Sequence, residues 1–324
     1  MEVPPTIRLR TQCPQPAPGS GLSAMAERQI GILPQRIRDI LSHDKIAACG
    51  SLRSLVGVGS ESQSIRREMS NNAAELRLDG KIALITGASK GLGKAMALSL
   101  SEAGATIALV SRDEQKLTGV KSEIEQSGGK AAVFVADVSR EDQVRRLESE
   151  VLDKLGKVQI LINNAGINIR KNLIDFTLDE WRSVMDANLT SVFLMCRAFV
   201  PHMKGSGYGR VLNMTSTMSH VSLPARTAYS SSKAALLGLI RALALELAPE
   251  GITVNGISPG PFGTEMNAPL MQNPELNAQF VANIPVGRWG KVDEIGTLAR
   301  YLCSDAAGFI TGTDILIDGG WCAR

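Results

Sequence analysis

The hydrophobic pattern is legible from residue 78 onward. An almost unbroken apolar run of strand length, Lys81 to Thr86, passes into the glycine-punctuated turn TGASKGLG and then into the helix-forming run Lys94 to Ala103. Short apolar segments and longer amphipathic ones alternate from there to the C-terminus. Strands are predicted near 81–86, 105–111, 131–136, 158–163, 209–215, 252–257 and 313–317. Helices are predicted near 91–103, 113–127, 140–156, 178–204 with a break near Leu189, 226–249, 265–283 and 291–304. Apolar strands that need burial on both faces, separated by helices, imply a parallel sheet covered on each side. With right-handed crossovers this is one α/β domain, doubly wound and Rossmann-type, with a seven-stranded parallel sheet and helices on both faces. No composition break divides residues 76–324.

Residues 1–75 read differently, being rich in Pro, Ser, Gln and Arg, with one amphipathic candidate from Ile30 to Ile46. Three readings stand: a disordered extension, sequence lying upstream of an alternative start at Met69, or a targeting peptide. Residues 1–68 carry nine Lys/Arg and six acids, which weakens the targeting reading, and 26 of each sign remain in residues 69–324. A neutral folded part argues against a nucleic-acid partner. No run approaches the roughly 18–20 uncharged apolar residues of a membrane span, so no membrane partner is expected. The five Cys, at 13, 49, 196, 303 and 322, show no C-x-x-C and no paired spacing. That set, together with three His outside any ligand spacing, predicts reduced thiols, a cytoplasmic setting and no metal site.

A strand–glycine turn–helix unit places a diphosphate on the helix N-terminus, where free N–H groups and the positive dipole end favour an anion. Glycine is needed where a Cβ would clash at positive φ or hold the backbone off the phosphate. Gly87, Ser89, Lys90, Gly91, Leu92 and Gly93 are the candidate cradle. At the end of the second strand an acid suits NAD and a base suits NADP. Ser111-Arg112 follows that strand here, and Asp113 reads as the cap of the next helix. Arg112 and Lys90 therefore predict NADP(H) over NAD(H), unless Arg112 merely stacks on adenine. Asp137 and Val138 end the third strand, and Asn164, Ala165 and Gly166 follow the fourth, as further cofactor candidates.

Tyr229 and Lys233 are four apart in a helical run and share a face. A free tyrosine, with a pKa of about 10, is a poor base near neutrality, and a neighbouring ammonium would lower that value. Ser216 ends the fifth strand, and Asn188 lies in Asn188-Leu189-Thr190-Ser191. With TGASKGLG, NNAG at 163–166 and Ser258-Pro259-Gly260, these motifs occur in an order that resembles the short-chain dehydrogenase/reductase family over residues 76–324.

The resemblance implies Tyr229 as general acid/base and Lys233 as the group that tunes it and binds the nicotinamide ribose. It also implies that Ser216 holds the substrate oxygen and that Asn188 supports a proton-relaying water. Residues from Ile257 through Pro259 and Gly260 to Thr264 would flank the nicotinamide, and the assembly would be a homotetramer. The substrate is a small molecule. Arg170, Lys171 and Arg226 are either partners for its carboxylate or ordinary surface cations. Residues 285–290 and 318–324 resemble gluconate 5-dehydrogenases and 2-deoxygluconate 3-dehydrogenases, and the motifs fit 3-oxoacyl-carrier-protein reductases nearly as well. A non-catalytic nucleotide-binding module is the reading from another class.

Overall fold

The computed structural model describes residues 76–323; the N-terminal extension and its amphipathic candidate lie outside the described residues. Seven strands, β1 (Ile82–Thr86), β2 (Thr106–Ser111), β3 (Lys130–Val135), β4 (Ile160–Asn163), β5 (Gly209–Met214), β6 (Ile252–Pro259) and β7 (Asp314–Ile317), form one sheet. Its order is β3-β2-β1-β4-β5-β6-β7, and every pair is parallel. The order reverses between β1 and β4, so a crevice opens at the carboxyl ends of those strands.

Strand periodicity divides the core. In β1, Leu84 points into one apolar cluster while Ala83 and Ile85 point into the other. The first cluster is completed by α3 (Glu141–Lys154), α5 (Ser191–Met203) and α6 (Thr227–Leu247). The second is completed by α1 (Gly91–Glu102), α2 (Glu114–Gln126) and α9 (Val292–Cys303). Helices thus cover both faces as expected, and the free thiols Cys196 and Cys303 are buried among them.

Two helical stretches differ from a regular reading. The predicted break near Leu189 is a π turn, Asp186–Thr190, joining α4 (Leu178–Met185) to α5. Residues 178–203 are long and apolar enough to span a bilayer, at a mean hydropathy of 1.2, which no uninterrupted apolar run in the sequence indicated. Half of that window is buried in the protein, however, as in a core helix. The single helix expected over 265–283 is instead a 3₁₀ turn (Glu265–Asn267), α7 (Ala268–Met271) and α8 (Pro274–Val281). Pro274 cannot donate to a continuing helix, and Asn273, held extended before it, accepts from Leu276 N at 3.1 Å and starts a new one.

Candidate active site

The turn after β1 is built by glycine for two separate reasons. Gly87 and Gly91 take φ of +65° and +56°, and Gly93 is a matter of space: a Cβ there would lie 2.3 Å from Gly87 O and 2.5 Å from Asn164 Nδ2. Asn164 Nδ2 donates to Thr86 O at 2.9 Å and Gly87 O at 3.1 Å. Thr86 Oγ1 accepts from the backbone N–H of Asn164 and Ala165 at 2.9 and 3.0 Å. The ends of β1 and β4 are thereby tied together beneath the turn. Thr86 was not singled out from the sequence, because a threonine at a strand end has no signature of its own. At the N-terminus of α1, the N-cap Lys90 supplies no side-chain acceptor and the first turn holds no acid. Its N–H groups are left for an external anion.

A cleft of about 920 Å³ runs from this turn across the sheet ends. Gly87, Ser89, Lys90, Gly91, Leu92 and Gly93 line it, followed by Arg112, Asp137 and Val138, and then by Asn164, Ala165 and Gly166. At one end the Arg112 guanidinium lies 3.8 Å from Asp137. Asp137 takes 3.0 and 2.6 Å bonds from Ser139 N and Oγ. Burial pushes its carboxyl up, but Ser139 and then Arg112 and Arg140 outweigh this and hold it below the usual range. Asp113 caps α2 as expected, accepting from Lys116 N at 3.1 Å. Its ion pair with Lys116 at 2.8 Å brings a third cation to a region where Lys90 lies 3.6 Å from Glu265. Lys116 lines the cleft; three residues into a helix, it had no sequence signal. An uncapped helix terminus, a turn closed to a Cβ at Gly87 and Gly93 and three nearby cations fit a dinucleotide carrying an extra phosphate.

Ser216, Tyr229 and Lys233 meet along the same cleft. Ser216 caps a 3₁₀ turn, its Oγ accepting from Met218 N at 3.1 Å. Burial raises the Tyr229 pKa, while a hydrogen bond with Ser216 and the charge of Arg226 oppose the rise. Lys233 donates from Nζ to Met214 O at 2.5 Å and lies over the tyrosine ring, 5.9 Å from its centre, while Arg226 brings a further positive charge to the phenol. Burial also depresses the lysine, to about 8.

Asn188 is fully buried in the π turn and lies behind the cleft wall. It accepts from Ile167 N at 2.8 Å and donates to Ile167 O and Ser232 Oγ at 2.9 and 3.0 Å. The side-chain amide is committed to protein groups, and it fixes the loop after β4 against α6. A Cβ at Gly166 would lie 2.9 Å from Asn188 Oδ1 and 3.6 Å from Lys233 Nζ, which accounts for glycine there.

At the other end of the cleft Arg170 and Arg226 are both wall residues. Lys171, grouped with them in the sequence, pairs instead with Glu180 at 2.6 Å. Arg226 follows Ala225, the one non-glycine residue of positive φ among those described, at +61°. Partial burial and then the charge of Arg170 lower the Arg226 pKa. Pro259, Gly260 and Thr264 also line the cleft, whereas Ile257 is wholly buried and forms no wall. Phe280 stacks on Trp289 at 4.7 Å and on Trp321 at 5.4 Å between ring centres. Phe280 and Trp321 complete the rim; their distance along the chain hid this cluster. Among the described residues no group of His, Cys, Asp or Glu could hold a metal ion.

Residues 87–322 match the family model described as enoyl-(acyl carrier protein) reductase. The chain is 38% identical over 245 residues to a 3-oxoacyl-[acyl-carrier-protein] reductase of Synechocystis, covering 75% of this chain and 97% of the relative. It is 35% identical to a gluconate 5-dehydrogenase of Gluconobacter oxydans, covering 75% and 95%. A solved gluconate 5-dehydrogenase from Burkholderia cenocepacia, in complex with NADP and tartrate, superposes with a TM-score of 0.74 at 36% identity, covering 78% of this chain and 99% of that one. The ordered motifs, the sheet and these relatives agree, and the chain belongs to the short-chain dehydrogenase/reductase family, whose members are oxidoreductases.

Proposed function

We propose that residues 76–324 form the catalytic unit and that it moves a hydride between NADP(H) and the secondary alcohol or ketone of a sugar acid. NADP would be held with its diphosphate at Gly87 to Gly93, its adenosine phosphate among Lys90, Arg112 and Lys116, and its nicotinamide beside Gly166, Pro259, Gly260 and Thr264. When bound, it supplies or accepts the hydride. The complex of the Burkholderia relative with NADP and tartrate supports both halves of this reading.

This chain's own residues handle the oxygen and its proton. Burial keeps the Tyr229 phenol above its ordinary pKa, so at neutral pH it is protonated and can donate to the oxygen of a ketone being reduced. Ser216, beside it, holds that oxygen in line. In the reverse direction the phenol must first lose its proton, and the Arg226 charge makes this easier. Lys233 places a cation between the cleft and the end of β5, where it binds a ribose hydroxyl. Asn188 keeps the loop after β4 and α6 in register beneath it. The intact set of Ser216, Tyr229 and Lys233 argues against a non-catalytic nucleotide-binding module.

The observation that carries the substrate class is the pair Arg170 and Arg226. Both face the cleft, and neither has an acidic partner among the described residues. Two guanidiniums that disfavour one another gain from an anion placed between them. Arg226→Ala and Arg170→Ala are therefore expected to raise KM for a ketogluconate about tenfold or more, at roughly 1.5–3 kcal/mol per charged hydrogen bond. KM for an uncharged ketone of similar size should stay within about twofold. Equal effects on both substrates would refute a carboxylate contact. The 38% identical Synechocystis relative keeps a 3-oxoacyl thioester as the second reading.

A further inference from the structure

Gly256 stands in the middle of β6, where a side chain would ordinarily strengthen the strand. A Cβ there would lie 2.1 Å from Asp314 Oδ1. Asp314 opens β7 opposite Gly256, and only 8% of its side chain is exposed. The strand therefore leaves a slot for a buried carboxylate that the reaction described above does not use. A buried carboxylate is costly unless its oxygens are satisfied, and three donors converge on this one. Thr215 Oγ1 is 2.5 Å from Oδ1, Ser258 Oγ is 2.6 Å from Oδ2, and His220 Nε2 is 2.7 Å from Oδ2.

The network ends on the catalytic turn. Ser258 Oγ also lies 2.9 Å from Ser216 O and 2.9 Å from Thr215 Oγ1. Thr215 N donates to Ile257 O at 2.9 Å, which is the last rung between β5 and β6 before Ser216. A carboxylate has no hydrogen of its own, so the single Ser258 hydrogen serves the 2.6 Å bond to Oδ2. Asp314 thereby holds both sides of Ser216: Thr215 before it through Oδ1, and His220, at the end of the turn after it, through Oδ2.

We propose that Asp314 is a positioning residue for the reaction: with His220, Thr215 and Ser258 it fixes the backbone of Ser216 and thereby aims the Ser216 hydroxyl at the substrate oxygen beside Tyr229. It touches neither substrate nor cofactor. A small displacement of an oriented group can cost up to about 10²-fold in rate, so Asp314→Asn, which places an amide where the carboxylate gathers three donors, should lower turnover about tenfold. Binding of NADPH, followed by fluorescence titration, should stay within about twofold, since Asp314 does not line the cleft.

The proposal rests on the role given to Ser216, so the test is a double-mutant cycle on the full chain, read as single-turnover rates with NADPH and a turned-over ketone. Asp314→Asn should slow the wild-type enzyme about tenfold yet slow the Ser216→Ala enzyme less than twofold, because the group it aims is already gone. An equal tenfold loss in both backgrounds, or a loss in neither, would overturn the proposal. Should Asp314→Asn not fold, His220→Ala removes the carboxylate's hold on the turn after Ser216 and must show the same dependence on Ser216. Wild-type rates in Ser216→Ala alone would instead remove the role of Ser216 and leave the Asp314 assignment without its object, a result distinct from additivity.

Discussion

Tyr229→Phe is expected to lower kcat by about 10²–10⁴-fold, the range for removing a positioned general acid, while Kd for NADPH changes little. The substitution deletes one oxygen from a helix whose packing runs through Ala228, Leu236 and Ile240, so the fold has no reason to change. Phenylalanine cannot donate to a carbonyl oxygen, and no other titratable hydroxyl of the described site is held at the junction of Ser216 and Arg226. Neither Ser216, at a far higher intrinsic pKa than a phenol, nor Lys233, turned to Met214 O, can replace it. Stopped-flow measurement of NADPH oxidation separates the chemical step from binding. Turnover within tenfold of wild type would remove Tyr229 from proton transfer.

Lys233→Met should act in opposite directions on activity and stability. Burial depresses the lysine from 10.5 to about 8. Below pH 8 both folded and unfolded chains hold the proton, and the folded state bears the full cost of a buried ammonium. Between about 8 and 10.5 the unfolded chain still binds a proton that the folded one has released, so stability rises with pH across that window. The displacement corresponds to about 3 kcal/mol at neutral pH. Methionine removes this cost but leaves Met214 O without its donor, worth about 1–3 kcal/mol. The net gain is about 1 kcal/mol, or roughly 2–4 °C in Tm at pH 7 for a domain of this size. It should disappear above pH 10.5, where the wild-type lysine is neutral in both states. Turnover should fall about 10²–10³-fold, as for loss of a preorganised charge. Thermal scans at pH 7 and 10.5 test the sign; a variant less stable than wild type at pH 7 would show that the ammonium is paired well enough to repay its burial.

The sheet was legible where its strands are apolar throughout, as from Ile82 to Ile85 and Ile107 to Val110, although β6 also buries Thr253 and Asn255. The site was legible where backbone geometry restricts the residue. Gly87, Gly91 and Gly93 are fixed by φ or by space, and the i, i+4 spacing of Tyr229 and Lys233 survives any change around it. What could not be read depends on contacts between distant segments. Lys171 looked equivalent to Arg170 until Glu180, nine residues on, claimed it. Phe280, Trp289 and Trp321 come together only once α8 and the C-terminal turn are placed. The charge that Arg226 brings to Tyr229 was not foreseen, because it depends on how the loop before α6 places that side chain. Asp314 read as an ordinary strand residue because nothing in its neighbourhood along the chain shows that Gly256 has made room for it.

The most direct test of the account is the initial rate of the purified chain with NADPH and with NADH against 5-ketogluconate and an acetoacetyl thioester. Faster turnover of the ketogluconate, with NADPH preferred, is the predicted result, because Arg170 and Arg226 face the cleft and Lys90, Arg112 and Lys116 gather at its other end. Preference for the thioester would contradict the sugar-acid reading, and preference for NADH would contradict the role given to those three cations.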